Sequence, residues 1–97
     1  MTTRIALTLA LILAAATPAS AECFADYKAK QEGGALRLHY GVAELPDRAC
    51  GSKQDAADAL APRLAAGGWT LLNVLSIFGP GGLAQRKDSA GQFFLRY

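Results

Sequence analysis

"ALRLHYGVAEL", residues 35–45, is the stretch on which the fold turns. Leu36, Leu38, Tyr40 and Val42 alternate with Arg37, His39, Gly41 and Ala43, a period of two that predicts a half-buried strand. The leucine-bearing set is expected to face the core, with Arg37 and His39 on the polar side. Glu32-Gly33-Gly34 stands just ahead of it. Glycine reaches positive φ without steric cost, so a tight turn is expected there. Further upstream, "CFADYKAK" (23–30) reads as a partner strand with Cys23, Ala25, Tyr27 and Ala29 on one side. A one-turn helix is the alternative. A hairpin centred near residue 33 sets Cys23 opposite residues 43–45 and leaves Cys50 in the loop just beyond the second strand.

That placement bears on the cysteines. The chain has two, Cys23 and Cys50, and in an exported protein two cysteines permit one intramolecular pair. Their spacing fits neither a CxxC redox motif nor a zinc site. A disulfide is expected instead, pinning the open end of the hairpin to the following loop. In the chain-entropy model, closing that loop stabilises the fold by about 3.5 kcal/mol. A chain this short buries little core, so such a staple matters.

The N-terminus supports export. Arg4 precedes an apolar run from Ile5 to Ala16, and Thr17-Pro18 ends that run. Crossing a bilayer takes about 20 apolar residues, so the run is too short to be a membrane span. Ala19-Ser20-Ala21 has the small-x-small form that a signal peptidase accepts. Residues 1–21 therefore read as a signal peptide cut after Ala21, with one domain over 22–97 and no transmembrane segment in the mature chain. A lipid anchor would need cysteine directly after the cut; Glu22 stands there instead. The expected location is the periplasm or the secreted medium.

Working downstream, "CGSKQDAADALAPRLAAGGW" (50–69) predicts a helix. Ser52 and Asp55 have capping-box spacing, Ala56, Leu60 and Leu64 recur at helical spacing, and Gly67-Gly68 supplies the stop. Pro62 removes one helical hydrogen bond and is expected to kink or split the helix at Ala61. "WTLLNVLSIF" (69–78), rich in β-branched and aromatic residues, predicts a central strand covered by that helix. Gly79-Pro80-Gly81-Gly82 breaks it. "LAQRK" and "QFFLRY" around Asp88–Gly91 then predict a second hairpin. The expected fold is a small two-layer α+β domain: an antiparallel sheet of about five strands, in the order ββαβββ, against one helix with one disulfide.

At "LRLHYGV", "GGWTLLNVLSIFG" and "AGQFFLRY" the chain resembles a group of small exported proteins of alphaproteobacteria that have no assigned function. The helix-Gly-Trp-strand join resembles small βαββ domains. These resemblances imply a compact exported domain and carry no catalytic or binding residue.

Charge excludes some partners. The chain has 10 Lys plus Arg against 8 Asp plus Glu, an overall balance that gives no electrostatic case for nucleic acid or for an anionic membrane. His39 is the one histidine, so any general-base or metal reading must use it. Neither Ser76 nor Ser89 sits in a nucleophile-elbow motif, and "GPGG" lacks the Lys-Ser/Thr pair of a phosphate loop. No catalytic residue, metal ligand or cofactor is assigned. Phe94, Arg96 and Tyr97, with Arg37 and His39, form the candidate binding surface, since aromatic residues and arginine are enriched at interfaces. The expectation is a non-enzymatic module binding a protein or cell-envelope partner, with a homodimer through a free sheet edge as a further expectation. A small hydrolase or transferase using His39, and an inhibitor inserting the Gly79–Gly82 loop into an enzyme, are the alternatives.

Overall fold

The structure is a computed structural model that describes residues 23–97. The signal peptide expected over 1–21 and its expected cleavage after Ala21 lie outside those residues. Strand β1 (Cys23–Gln31) turns into β2 (Arg37–Leu45), and a 3-10 turn leads to helix α1 (Lys53–Ala66). Strand β3 (Thr70–Phe78) follows, then two 3-10 turns, a one-turn helix α2 (Lys87–Ala90) and a last 3-10 turn over Gly91–Phe93.

The sheet has three strands in the order β2-β1-β3, all neighbours antiparallel. The first hairpin forms as its sequence predicts. Cys23 pairs with Leu45, Gln31 with Arg37, and Gly33 and Gly34 take positive φ in the turn. Cys23 and Cys50 form the disulfide, with Cα atoms 6.0 Å apart. Helix α1 also begins where expected, its first turn capped by Ser52 Oγ accepting from the Asp55 N–H at 3.0 Å. It runs unbroken through Pro62. Proline withholds a donor from the carbonyl of Asp58, but both residues are exposed and water can take its place.

Three expectations are corrected. The sheet has three strands, not about five. The C-terminal stretch makes a single bridge, Phe94 beside Val42 with Leu95 N–H donating to the Val42 carbonyl at 2.8 Å. Leu95 then turns to φ 59°, a left-handed conformation that cannot extend a ladder, so no strand forms. Second, β3 is an edge strand rather than the central one. The β1–β2 hairpin leaves one side of β1 open, and β3 returns there through α1.

Third, β2 faces the other way. His39, Gly41, Ala43 and Leu45 are buried towards the α1 side, while Leu36 and Leu38 are 61% and 65% exposed. The reason lies in β1. Tyr27 is fully buried and paired with Gly41, where a Cβ would stand 2.6 Å from the ring's Cζ. Only glycine lets that ring lie across the neighbouring strand, and this fixes which side of β2 meets the core. Beneath α1, Ala25, Tyr27, Ala29, Ala43 and Leu45 pack with Ala56, Leu60 and Leu64. On the opposite face a smaller group, Phe24, Val42 and Ala90 with Tyr40, Phe78, Leu83 and Phe94, closes half of the sheet.

Candidate functional site

Three places on this scaffold have the composition of a site: a histidine buried among aromatics, a buried carboxylate, and an uncovered half-face of the sheet.

His39 lies near the end of β2, 8% exposed. Its ring stacks on Phe93 with centroids 3.6 Å apart and planes 10° from parallel, and it meets Trp69 edge-on at 4.3 Å. Its Nε2 shares a hydrogen bond of 3.0 Å with Tyr27 Oη, while Nδ1 is buried with no partner. Burial holds the imidazole below its usual pKa of 6.5, so the ring is neutral near pH 7. Burial also pushes the Tyr27 phenol up to about 12, with a smaller push from Tyr97. A general base needs a substrate within reach and a group to orient it. No carboxylate touches His39 among the described residues, Ser76 belongs to the opposite face, and aromatic rings cover both flanks.

The carboxylate is Asp26, on the face opposite α1. Its Oδ1 accepts from Ser76 Oγ at 2.6 Å, and its Oδ2 accepts from Tyr40 Oη at 2.9 Å and Arg86 Nε at 3.1 Å. Arg86 also donates to the Gly82 carbonyl at 2.8 Å, and its guanidinium lies 3.9 Å from the Phe78 ring centroid. Burial by itself would raise the Asp26 carboxyl. The bonds from Ser76, Tyr40 and Arg86, with the Arg86 charge, outweigh it and hold the group below its ordinary 3.8. Burial and the bond to Asp26 push Tyr40 up to about 12. Three donors drawn from β2, β3 and the loop after β3 occupy this carboxylate. The arrangement is a clamp fixing the 79–86 loop to the sheet, not a base open to substrate.

The third place follows from how far the clamp reaches. Across the face opposite α1, Phe24–Glu44–Phe78 and Asp26–Val42–Ser76 form rows in register, and the C-terminal segment covers them apart from the exposed Glu44. The next two rows, Lys28–Tyr40–Asn73 and Lys30–Leu38–Thr70, lie beyond its cover apart from Tyr40, which is half-buried against that group. Lys28, Leu38, Asn73 and Thr70 are exposed, and Lys30 pairs at 3.3 Å with Glu32 in the turn.

The surface expected from the sequence is not assembled as one patch. Arg37 is exposed beside Trp69, on the α1 side of the sheet, and His39 is buried on that same side. Phe94 packs inward against the second apolar group. Tyr97 is exposed, its hydroxyl accepting from Arg63 Nη1 at 2.6 Å, and Arg96 is exposed near the C-terminal end. Arg63 also holds the Glu44 carbonyl at 3.0 Å, so it is engaged on one wall of a groove of about 580 Å³ lined by Glu44–Arg48, Leu95 and Tyr97. The sequence reading passed over Lys28 and Lys30 and assigned Leu36 and Leu38 to the core side. Their signal was present as an alternating leucine pair, but alternation cannot tell a core face from a bare one.

No group of three or more His, Cys, Asp or Glu side chains is gathered as a metal site among the described residues. No helix among them is long and apolar enough to cross a membrane. No protein-family model, curated protein or solved structure matches the chain.

Proposed function

We propose that this chain is a non-enzymatic interaction domain of an exported protein, acting in the periplasm or outside the cell. On this reading it binds a cell-envelope partner through the uncovered half of its sheet. The disulfide supports the compartment, because such bonds persist where the surroundings are oxidising. The observation that carries the reading is the exposure of Leu36 and Leu38 beside Lys28 and Lys30, on a face whose other half is deliberately closed by the Asp26 clamp. Small domains place exposed apolar residues next to charge where a partner is to be recognised.

The test is a photo-crosslinking amino acid placed at Leu38 in cells that express the full chain, with Asp58 on the outer side of α1 as the control position. A discrete adduct at Leu38 and none at Asp58 is expected. Absence of any adduct at Leu38 would overturn the reading.

A further inference from the structure

The hairpin end has a shape and charge that narrow the partner. Past the row Lys30–Leu38–Thr70 the third strand stops, and residues 31–37 continue alone as a two-stranded tip. Leu36 lies at this tip and Leu38 one step inside it, and they are the two most exposed large apolar side chains among the described residues. Cations flank them on both sides of the sheet. Lys28 and Lys30 stand on the face opposite α1, and Arg37 stands on the α1 face, where it lies 6.0 Å from the Trp69 ring centroid. Within residues 28–38 the one acidic side chain is Glu32, and it is paired with Lys30.

A flat protein partner laid on one face would meet Lys28 and Lys30 but leave Arg37 pointing away. A second copy laid face to face would set one lysine-bearing patch against another with the same charge, because a two-fold interface joins two copies of the same patch. A planar anionic surface met end-on satisfies the whole arrangement. The leucines enter the apolar boundary while cations on both flanks reach the headgroups. We infer that the 28–38 hairpin end docks onto an anionic lipid surface, with Leu36 and Leu38 as the inserted residues and Lys28, Lys30 and Arg37 as headgroup contacts. This rests on the reading of the exposed Leu36–Leu38 end of the half-face as an interaction surface and names its partner as lipid.

The experiment is co-sedimentation of the oxidised protein with vesicles of phosphatidylglycerol and phosphatidylcholine in equal parts, and with phosphatidylcholine alone. Every variant keeps the same N-terminus, so differences report the hairpin end. Wild type should bind the anionic vesicles, release them as salt is raised, and bind the neutral ones at least about tenfold less. Leu36→Asp with Leu38→Asp should abolish sedimentation while the circular dichroism spectrum stays the same. Should that pair disturb folding, Lys28→Gln and Arg37→Gln serve instead, each expected to weaken binding about fivefold. Equal binding to both vesicle types, or binding that none of these substitutions changes, would overturn the inference. If wild type sediments with neither vesicle while Leu38 still crosslinks to a protein, the lipid assignment falls and the interaction reading stands. If both experiments are blank, both fall.

Discussion

On the α1 side, the strands present Ala25, Tyr27, Ala29, Ala43 and Leu45, and the helix answers with Ala56, Leu60 and Leu64. Water is excluded there mainly by apolar contact, with the Tyr27–His39 hydrogen bond as a buried polar pair, and a disulfide closes one end. On the other side the sheet is covered by a segment with almost no regular structure. It is held by the bond from Arg86 to the buried Asp26 carboxylate, one strand bridge and apolar contacts of Leu83, Ala90 and Phe94 with Phe24, Val42 and Phe78. The difference teaches how each layer finds its place. The helix can slide until its apolar stripe fits, because burial is roughly proportional to area and non-directional. The C-terminal segment packs through the smaller apolar group and is pinned in addition by a directional bond, from Arg86 to Asp26.

The largest effect should come from breaking the apolar side. Leu60→Ala, at a fully buried position, is expected to cost about 2–5 kcal/mol, measured as a fall in the urea midpoint at unchanged slope. A loss under about 1 kcal/mol would mean that the helix packs loosely. Cys50→Ser should follow at about 3.5 kcal/mol, checked by the same titration with and without reductant. A wild type indifferent to reductant would remove the staple from this side of the comparison.

The polar side is probed by Asp26→Asn, expected to cost about 2 kcal/mol because Arg86 loses a charged acceptor in a buried setting. Its pH dependence has a definite sign. The folded pKa lies below 3.8, so the contribution is present above that value and is lost as pH falls through 3.8 towards the folded pKa. Acid unfolding should therefore be less steep in Asp26→Asn than in wild type. Parallel acid limbs would show that the clamp does not depend on charge. Hydrogen exchange should sharpen the point, with the variant losing protection over residues 79–86 while α1 keeps its own.

The smallest effect concerns His39, where the C-terminal segment crosses to the α1 side through Phe93. Its folded pKa is depressed below 6.5, so the neutral ring's stability is complete above 6.5 and is lost as pH falls from there towards the folded pKa. Wild type should lose stability on going from about pH 7 to about pH 5, and His39→Phe should lose less, in urea titrations at the two values. Matching curves would mean that protonated His39 is accommodated between Phe93 and Trp69.

Local patterns carried much of the fold. The hairpin, its Gly33-Gly34 turn, the Ser52 cap, the helix and the Cys23–Cys50 pair were all legible because each depends on neighbours in sequence or on simple reach. The strand at 69–78 was legible as a strand, though not as an edge. Nothing short-range says that Arg86 must meet Asp26, 60 residues away, or that "LAQRK" forms a 3-10 turn and not a strand. The candidate surface was half legible: Leu36 and Leu38 were noticed and assigned to the wrong side.

By itself, then, the sequence determined the elements and their caps, because periodicity, turn chemistry and a single cysteine pair act over short distances. Only the tertiary structure decided which side of β2 is core, where the single histidine goes and which half of the sheet stays bare. Those choices depend on the fit of Tyr27 across Gly41 and on how far the C-terminal segment reaches from its clamp at Asp26. Shape and distance of that kind are set only when all the strands are in place, because alternation assigns residues to two faces without saying which one will be covered.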